Sequence, residues 1–246
     1  MNRKKRFGIE IVLFLFLYML ASGYSGASAQ EEGDGDPLKG MNEIFYGIND
    51  VLDKAFLEPV AEIYADHLPA GFQSGISNFF DNLAYPGVII NNILQGKIGN
   101  GIKSTGRFII NTIFGIGGLF DPATSLGLER QKEDFGQTLG VWGAGEGAYL
   151  VLPAIGPSSV RDTPGVVADI FTNLLYYAES SVMVPLIAVR AVERRADFLE
   201  VTRVRDKSLD PYLFTREAYR QRRMDLIYDG EPPYQYDVYE DDEESQ

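Results

Sequence analysis

Glycine and proline punctuate this chain so often that its helical periodicity arrives in short pieces: 26 glycines and 12 prolines fall among 246 residues. Residues 38–65 carry Met41, Phe45, Ile48, Leu52 and Phe56 on one helical stripe, and Pro59 breaks or restarts the run. Residues 69–83 repeat the pattern with Phe72, Ile76, Phe79, Phe80 and Leu83 on one face. Pro69 suits a first turn there, and Pro86 is expected to stop the helix. A short apolar run at 88–94 follows, after which Gly96, Gly99, Gly101 and Gly106 loosen the chain. Residues 108–120 are apolar almost all round, broken by Asn111, Thr112, Gly115, Gly117 and Gly118. Thr163 reads as an N-cap with Pro164 at the first helical position, opening a helix through Val166, Ile170, Leu174 and Leu175 to Tyr177. Residues 185–204 predict one long helix and residues 212–223 a last one. The fold class expected is mainly α, a single domain of many short amphipathic helices. Beyond the amino-terminal segment, no stretch offers the roughly eighteen consecutive apolar residues of a conventional transmembrane helix. The apolar faces either build an ordinary core or lie in a bilayer interface, each burying one side among acyl chains.

Residues 135–162 break the helical pattern. Gly136, Gly140, Gly143, Gly145 and Gly147 crowd into a dozen residues, and an apolar, strand-like run at 149–153 follows. Glycine reaches positive φ cheaply, so this spacing suits a hairpin tip. Residues 138–142 and 148–152 are predicted to pair as two short strands around Gly143-Ala144-Gly145-Glu146-Gly147. Such a tip carries little hydrogen-bonding chemistry and fits a moving flap over something apolar better than a catalytic loop.

The amino terminus joins a basic Arg3-Lys4-Lys5-Arg6, an apolar run at 11–21 and a small-residue Ala27-Ser28-Ala29. Residues 1–29 are therefore predicted to be a secretory signal peptide, with the mature chain starting near Gln30. Export leads to an oxidising compartment, yet the chain has no cysteine, so packing alone must hold the fold. The net charge of −13 is uneven. Residues 229–246 hold eight acidic and no basic residues and read as a disordered acidic tail, leaving residues 30–228 as the folded domain. Residues 190–223 carry ten basic and six acidic residues, a local +4. An acidic protein with one such stretch makes a poor nucleic-acid binder, since phosphate neutralisation supplies that affinity. The basic stretch is either a solvated helix face or a contact for anionic head groups or a protein partner.

Catalytic readings find little support. The lone histidine, His67, has no Gly-x-Ser-x-Gly elbow to serve as general base, and Gly71-Phe72-Gln73-Ser74-Gly75 is out of register by one. It reads as a helix-end residue. One histidine and no cysteine leave zinc short of its usual ligands. In Gly96-Lys97-Ile98-Gly99-Asn100-Gly101-Ile102-Lys103-Ser104, Ile102 separates glycine from lysine, so the phosphate-loop contiguity fails. Asp121, Asp162 and Asp169 are conspicuous, but paired-carboxylate chemistry needs an arrangement in space. No catalytic residue, metal site or cofactor is expected.

The ordered blocks carry a resemblance. Asp36-Pro37-Leu38-Lys39-Gly40-Met41-Asn42, Ser77-Asn78-Phe79-Phe80-Asp81-Asn82-Leu83, Asn91-Asn92-Ile93-Leu94-Gln95-Gly96 and Arg107-Phe108-Ile109-Ile110-Asn111-Thr112 precede the glycine-rich segment. Asp210-Pro211-Tyr212 and Arg216-Glu217-Ala218-Tyr219 follow it. Over roughly residues 36–223 the chain resembles the VacJ/MlaA family of outer-membrane phospholipid-transport proteins. The resemblance implies helices arranged as a ring in the inner leaflet of the outer membrane, around an amphipathic channel. It places the glycine-rich hairpin, with Gly140, Gly143, Gly145 and Gly147, beside the lipid path as a gate. Asp121, Arg161 and Asp162 fall in family blocks flanking the hairpin. Asp121 is expected to terminate the 108–120 element, and Arg161 with Asp162 to lock the hairpin base by charge-assisted bonds. Members are commonly anchored through a lipidated cysteine, a residue this chain lacks.

The function implied is passive, cofactor-free phospholipid transport on the periplasmic face of the outer membrane. Mislocalised phospholipid would leave the outer leaflet and pass to a periplasmic lipid-binding shuttle protein, with an outer-membrane porin as further partner, to maintain lipid asymmetry. A polar-lined path lowers the barrier a head group meets in hydrocarbon. The alternatives are a lipid hydrolase of the cell envelope and a structural adaptor of a porin complex.

Overall fold

Prolines mark where the helices of this chain begin more reliably than where they end. The computed structural model describes residues 36–233. The signal peptide read at 1–29 and, of the acidic tail read at 229–246, all but residues 229–233 lie outside the described residues. From Leu38 onward the described residues form one compact unit. Helix α1 (Lys39–Leu52) runs directly into a π-helical turn (Asp53–Leu57) and on into α2 (Glu58–His67). Pro59 sits in the first turn of α2, where the wider π turn accommodates a ring that clashes with the carbonyl four residues back in a regular helix. Helix α3 (Ala70–Leu94) contains Pro86 in its interior, so the stop expected there does not occur, and the run at 88–94 belongs to the same helix. Tyr85, Gly87, Val88, Asn91 and Asn92 are all buried around that point. Their packing outweighs the ~3 kcal/mol a helical proline costs.

Helix α4 (Ile98–Ile113) is followed by a series of turns, so the apolar run at 108–120 is only partly helical. Then come α5 (Pro122–Ser125), α6 (Phe135–Val141), β1 (Tyr149–Leu152), β2 (Gly156–Ser159) and α7 (Asp162–Thr172). A 3-10 turn (Leu174–Tyr177), α8 (Ser180–Asp197), α9 (Leu199–Arg205) and α10 (Pro211–Ile227) complete the order. The helix expected through Tyr177 therefore ends at Thr172. The single helix expected over 185–204 is two, separated at Phe198 (φ −101°, ψ 3°). Capping follows local chemistry: Asp121, Asp134 and Asp210 each accept a backbone N–H three residues on, and proline follows both Asp121 and Asp210 at the first helical position.

The fold is mainly α with a small antiparallel hairpin, in which Tyr149 pairs with Ser159 and Leu152 with Gly156. The strand expected over 138–142 is helix and loop instead. Gly136 and Gly140 lie in α6, Gly143, Gly145 and Gly147 in the connection from α6 to β1, and the hairpin turns at Pro153-Ala154-Ile155.

The interior is unusually polar. Arg107, 1% exposed, is the largest fully buried side chain, and Asn42, Asn91, Asn92, Gln137 and Thr138 are buried with it. Tyr149, Val151 and Tyr212 form a small apolar core backed by Phe45, Tyr46 and Tyr219. In contrast, Phe56, Phe72 and Phe114 stand 69%, 68% and 72% exposed. Helix α4 shows the inversion most clearly: Gly101, Ser104, Arg107 and Asn111 are its buried face, while Ile102, Ile109 and Ile113 point out. Their spacing of seven and four is one stripe of a helix.

Candidate functional site

The hairpin is fastened to α1 by two asparagines one heptad apart. Asn42, fully buried, donates Nδ2 to the Tyr149 carbonyl and accepts the Val151 N–H, both at 2.9 Å. Asn49 donates to the Leu152 carbonyl at 2.9 Å and accepts the Ala154 N–H at 2.8 Å. Two amide side chains thus stand in for the missing neighbour of an edge strand, whose groups otherwise lack partners. The sequence signal was the presence of these amides beside the apolar stripe of α1, where a helix gains nothing from asparagine.

The four glycines expected in the gate hairpin have separate settings. Gly140 lies in α6, where a Cβ would come within 2.7 Å of Ile227 Cδ1 on α10. Gly143 (φ +90°) ends that helix: its N–H bonds the Gly140 carbonyl and the Ala144 N–H bonds the Leu139 carbonyl, both at 2.9 Å. This is the Schellman pattern, with glycine at its left-handed position. Gly147 (φ +69°) packs against Val160, whose Cβ would lie 2.9 Å from an added Cβ. Gly145 alone combines open surroundings with an unexceptional φ. The loop is anchored on both sides. The Trp142 indole donates to the Leu94 carbonyl at 3.0 Å, and Val160 and Arg161 N–H groups reach the Ala148 and Glu146 carbonyls.

Beneath the loop lies a charged network. Arg161 Nε and Nη2 reach the two oxygens of Asp162 at 2.8 and 3.2 Å. The Tyr219 hydroxyl donates to Asp162, and Arg223 bridges Asp162 to Asp134. Burial opposes ionisation of Asp162, but the Arg161 hydrogen bond and the Arg223 charge prevail and hold it below the usual carboxylate range. For Asp134, likewise, the Arg223 contacts outweigh burial and lower the pKa. Burial and the Asp162 hydrogen bond push Tyr219 up. Asp169, accepting the Phe135 N–H at 3.2 Å, is pushed up to about 6 by burial and then by the Asp134 charge. Asp121 belongs to a different cluster: Arg107, Asn111 and Thr124 hold it, and their bonds overcome burial to bring its pKa to about 2. It caps α5 after the turns that follow α4. These are structural clusters, with each carboxylate engaged by cations or donors. His67, at the end of α2, places Nδ1 3.1 Å from the Ile63 carbonyl. Among the described residues no three His, Asp or Glu side chains are grouped to hold a metal ion.

An open cleft of about 600 Å³ lies between α1, the hairpin, the α8–α9 bend and α10. Leu52, Leu57, Ile155, Val201 and Phe214 give it apolar walls, and Arg195, Arg205 and Arg222 give it cationic edges. Arg205 is paired with Asp50 and Asp206. The cationic residues come from the basic stretch at 190–223, while the cleft itself needs α1 and the hairpin and was not legible from any one segment.

The sequence profile of the MlaA lipoprotein family matches residues 34–225. This chain belongs to the MlaA family. The Escherichia coli (strain K12) intermembrane phospholipid transport system lipoprotein MlaA is 37% identical over 215 residues, 86% of this chain and 85% of the relative. The Haemophilus influenzae protein of the same name is 32% identical over 201 residues, covering 79% of this chain and 80% of its own length. A solved chain from work on the structural basis for maintenance of bacterial outer membrane lipid asymmetry superposes with a TM-score of 0.70 at 37% identity, covering 79% of this chain and 99% of the other. The MlaA match spans the asparagine clamp, the glycine-rich loop, the hairpin and all three cationic residues of the cleft.

Proposed function

We propose that this protein acts at the periplasmic face of the outer membrane as a phospholipid-transport component that maintains lipid asymmetry. It removes mislocalised phospholipid from the outer leaflet and passes it to a periplasmic lipid-binding shuttle protein, working beside an outer-membrane porin. Residues 30–228 are the working domain, released from the signal peptide and followed by the acidic tail. The observation that carries the reading is the inverted helix α4, with its arginine and asparagine inside and its isoleucines outside. A side chain such as Ile102, Ile109, Ile113 or Phe114 gains ~1.5–3 kcal/mol when it leaves water for an apolar phase. Several such faces together exceed the marginal affinity of one acyl chain, and they hold a member without cysteine in the membrane. Among the described residues no helix is long and apolar enough to cross a membrane. In this reading the helices lie within one leaflet as a ring around a path for lipid. The names of the relatives support the same reading.

The test is genetic and biochemical together. A strain lacking the protein is expected to expose phospholipid to an added phospholipase that cannot cross the outer membrane, and the wild-type chain to reverse this. The purified protein is expected to sediment with outer membranes and to leave labelled phospholipid chemically unchanged. Unaltered phospholipid exposure in the deletion strain would overturn the transport reading; release of lysophospholipid by the purified protein would replace it with a hydrolase.

A further inference from the structure

Helices α9 and α10 fold back along each other, and the groove between them carries cations that the fold leaves unused. The turn at 206–210 joins the two helices at one end. At the other, the exposed Arg222 of α10 stands with its guanidinium 5.8 Å from the centre of the Phe198 ring, which precedes α9. Lys207, in the turn, is exposed as well. Neither cation is paired with a carboxylate among the described residues. Between Pro211 and Arg222 the helix rises about 16 Å, which separates the two along the groove. Phe198, Val201, Phe214 and Ala218 line the cleft between them. The nearby carboxylates are engaged or turned away. Arg195 holds Asp53, Lys54 and Arg205 hold Asp50, and Arg205 also holds Asp206. Asp225 directs its carboxylate toward Gly230 beyond the helix end.

The complement to this groove lies in the same chain. Helix α10 ends in a Schellman turn: Asp229 and Gly230 take φ of +53° and +87°, and the Gly230 N–H bonds the Asp225 carbonyl at 2.8 Å. The turn carries the chain off the helix axis, and Lys97 holds Asp229 there. Beyond Pro233 the sequence supplies Asp237, Glu240, Asp241, Asp242, Glu243 and Glu244, with three tyrosines and no cation. Arg222 lies about 8 Å back from the end of α10, and the far end of the groove about 24 Å back. From Tyr228 to Glu240 an extended chain spans about 40 Å, so the acidic run reaches both cations with slack.

We propose that residues 234–246 fold back over the α9–α10 groove, with carboxylates on Arg222 and Lys207 and tyrosine rings on Phe198 and Val201, and so cover the rim of the cleft. A single exposed ion pair contributes little. A tethered segment, however, meets its site at millimolar effective concentration, and here six carboxylates are available to two cations. The tail is then an internal competitor: any anionic group approaching Arg222 must displace it first.

The experiment uses the absence of cysteine. Spin labels at Leu209→Cys, a fully exposed position beside Lys207, and at Ser245→Cys attach at those two sites alone. The dipolar distance between them reports docking in the full chain in detergent. At low salt the doubly labelled chain is expected to give a narrow, short-distance peak. Adding Arg222→Glu with Lys207→Glu should cut the fraction in that peak about tenfold, and salt that screens exposed pairs should do the same. Arg222→Lys should retain the peak, and Lys103→Glu, which alters an exposed lysine on α4, should leave it unchanged. A broad distribution without these substitutions, a peak indifferent to both salt and the double substitution, or an equal loss from Lys103→Glu would overturn the docking. A peak between singly labelled chains, one carrying each position, would assign the groove to the tail of a second copy and overturn the folding back. Melting of each variant separates loss of docking from loss of fold. The transport reading does not use the tail and stands whichever result is found.

Discussion

The hairpin and the glycine-rich loop before it are neighbours in sequence with opposite mechanical settings. The hairpin looks like the mobile element, a two-stranded ribbon of the kind that is marginal in water, yet Asn42 and Asn49 fix its edge to α1 by four hydrogen bonds. The loop holds the glycines, yet only its middle is unencumbered: Gly140 and Gly147 are packed, and Gly143 is committed to the stop of α6. Glycine content by itself says that a conformation is permitted. Whether the chain also moves depends on what surrounds the backbone, and here freedom narrows to Gly145, since the Ala144 N–H is bonded to the Leu139 carbonyl. A lipid gate in this segment would hinge at Gly145, between fixed stems.

The largest expected effect breaks the fixed half. Asn42→Leu keeps the branched shape but strands the Tyr149 carbonyl and Val151 N–H in a buried site, which should lower stability by about 2–5 kcal/mol and be read as a fall in melting temperature. Asn49→Leu, at the more exposed end of the clamp, should cost less than half as much. Equal costs would mean that the two asparagines do not divide into a buried and a peripheral anchor.

Next in size are the glycines. Gly147→Val places a β-branched residue at positive φ against Val160 and should destabilise by about 1–3 kcal/mol. Gly145→Val meets open space and should stay within about 0.5 kcal/mol. If the gate is real, Gly145→Val nevertheless leaves surface phospholipid in cells at normal protein abundance. A stable, abundant Gly145→Val protein with undisturbed asymmetry would rule the gate out.

The stem carries an effect that depends on pH. Asp169 faces Asp134 and Arg223 and ties α7 to the start of α6. Its pKa stands at about 6, above the ordinary value of 3.8, so the folded state binds this proton more tightly than the unfolded chain. Its contribution is complete below about pH 4 and is lost as pH rises through 6. Asp169→Asn should therefore gain on the wild type by about 2 kcal/mol between pH 4 and pH 7, measured by urea unfolding at each pH. Parallel stability curves would show that the carboxyl is solvated in both states.

Much of the architecture was readable in advance where the signal is local. The stripe from Met41 to Phe56 announces α1, and the stripe from Phe72 to Leu83 announces the first part of α3, because helical faces depend on residues within a few positions. Reading failed where a neighbour distant in sequence decided. Pro86 is helical because Tyr85 and Gly87 are buried on either side of it. The second strand, Gly156-Pro157-Ser158-Ser159, has no β propensity to display. It pairs because Ser158 and Ser159 are buried at the base of the hairpin, where the Ser159 hydroxyl accepts the Asp162 N–H. The stretch at 138–142 was mistaken for a strand because a seven-residue helix is too short for periodicity to separate the two.

By itself the sequence determined a mainly α chain of short amphipathic pieces and its family, since each depends on residue type and spacing; the N-cap it suggested at Thr163 lies inside α7, whose N-cap is Arg161. It could not determine which face of each helix turns inward. An apolar stripe looks the same whether it meets a protein core or acyl chains, and only the tertiary structure shows Arg107 inside and Ile109 outside on one helix. Nor could it place Asn42 against β1, 107 residues away, or bring Tyr46, Arg195 and Arg222 to one cleft. Directed hydrogen bonds depend on positions in space, and those positions exist only once the chain has closed on itself.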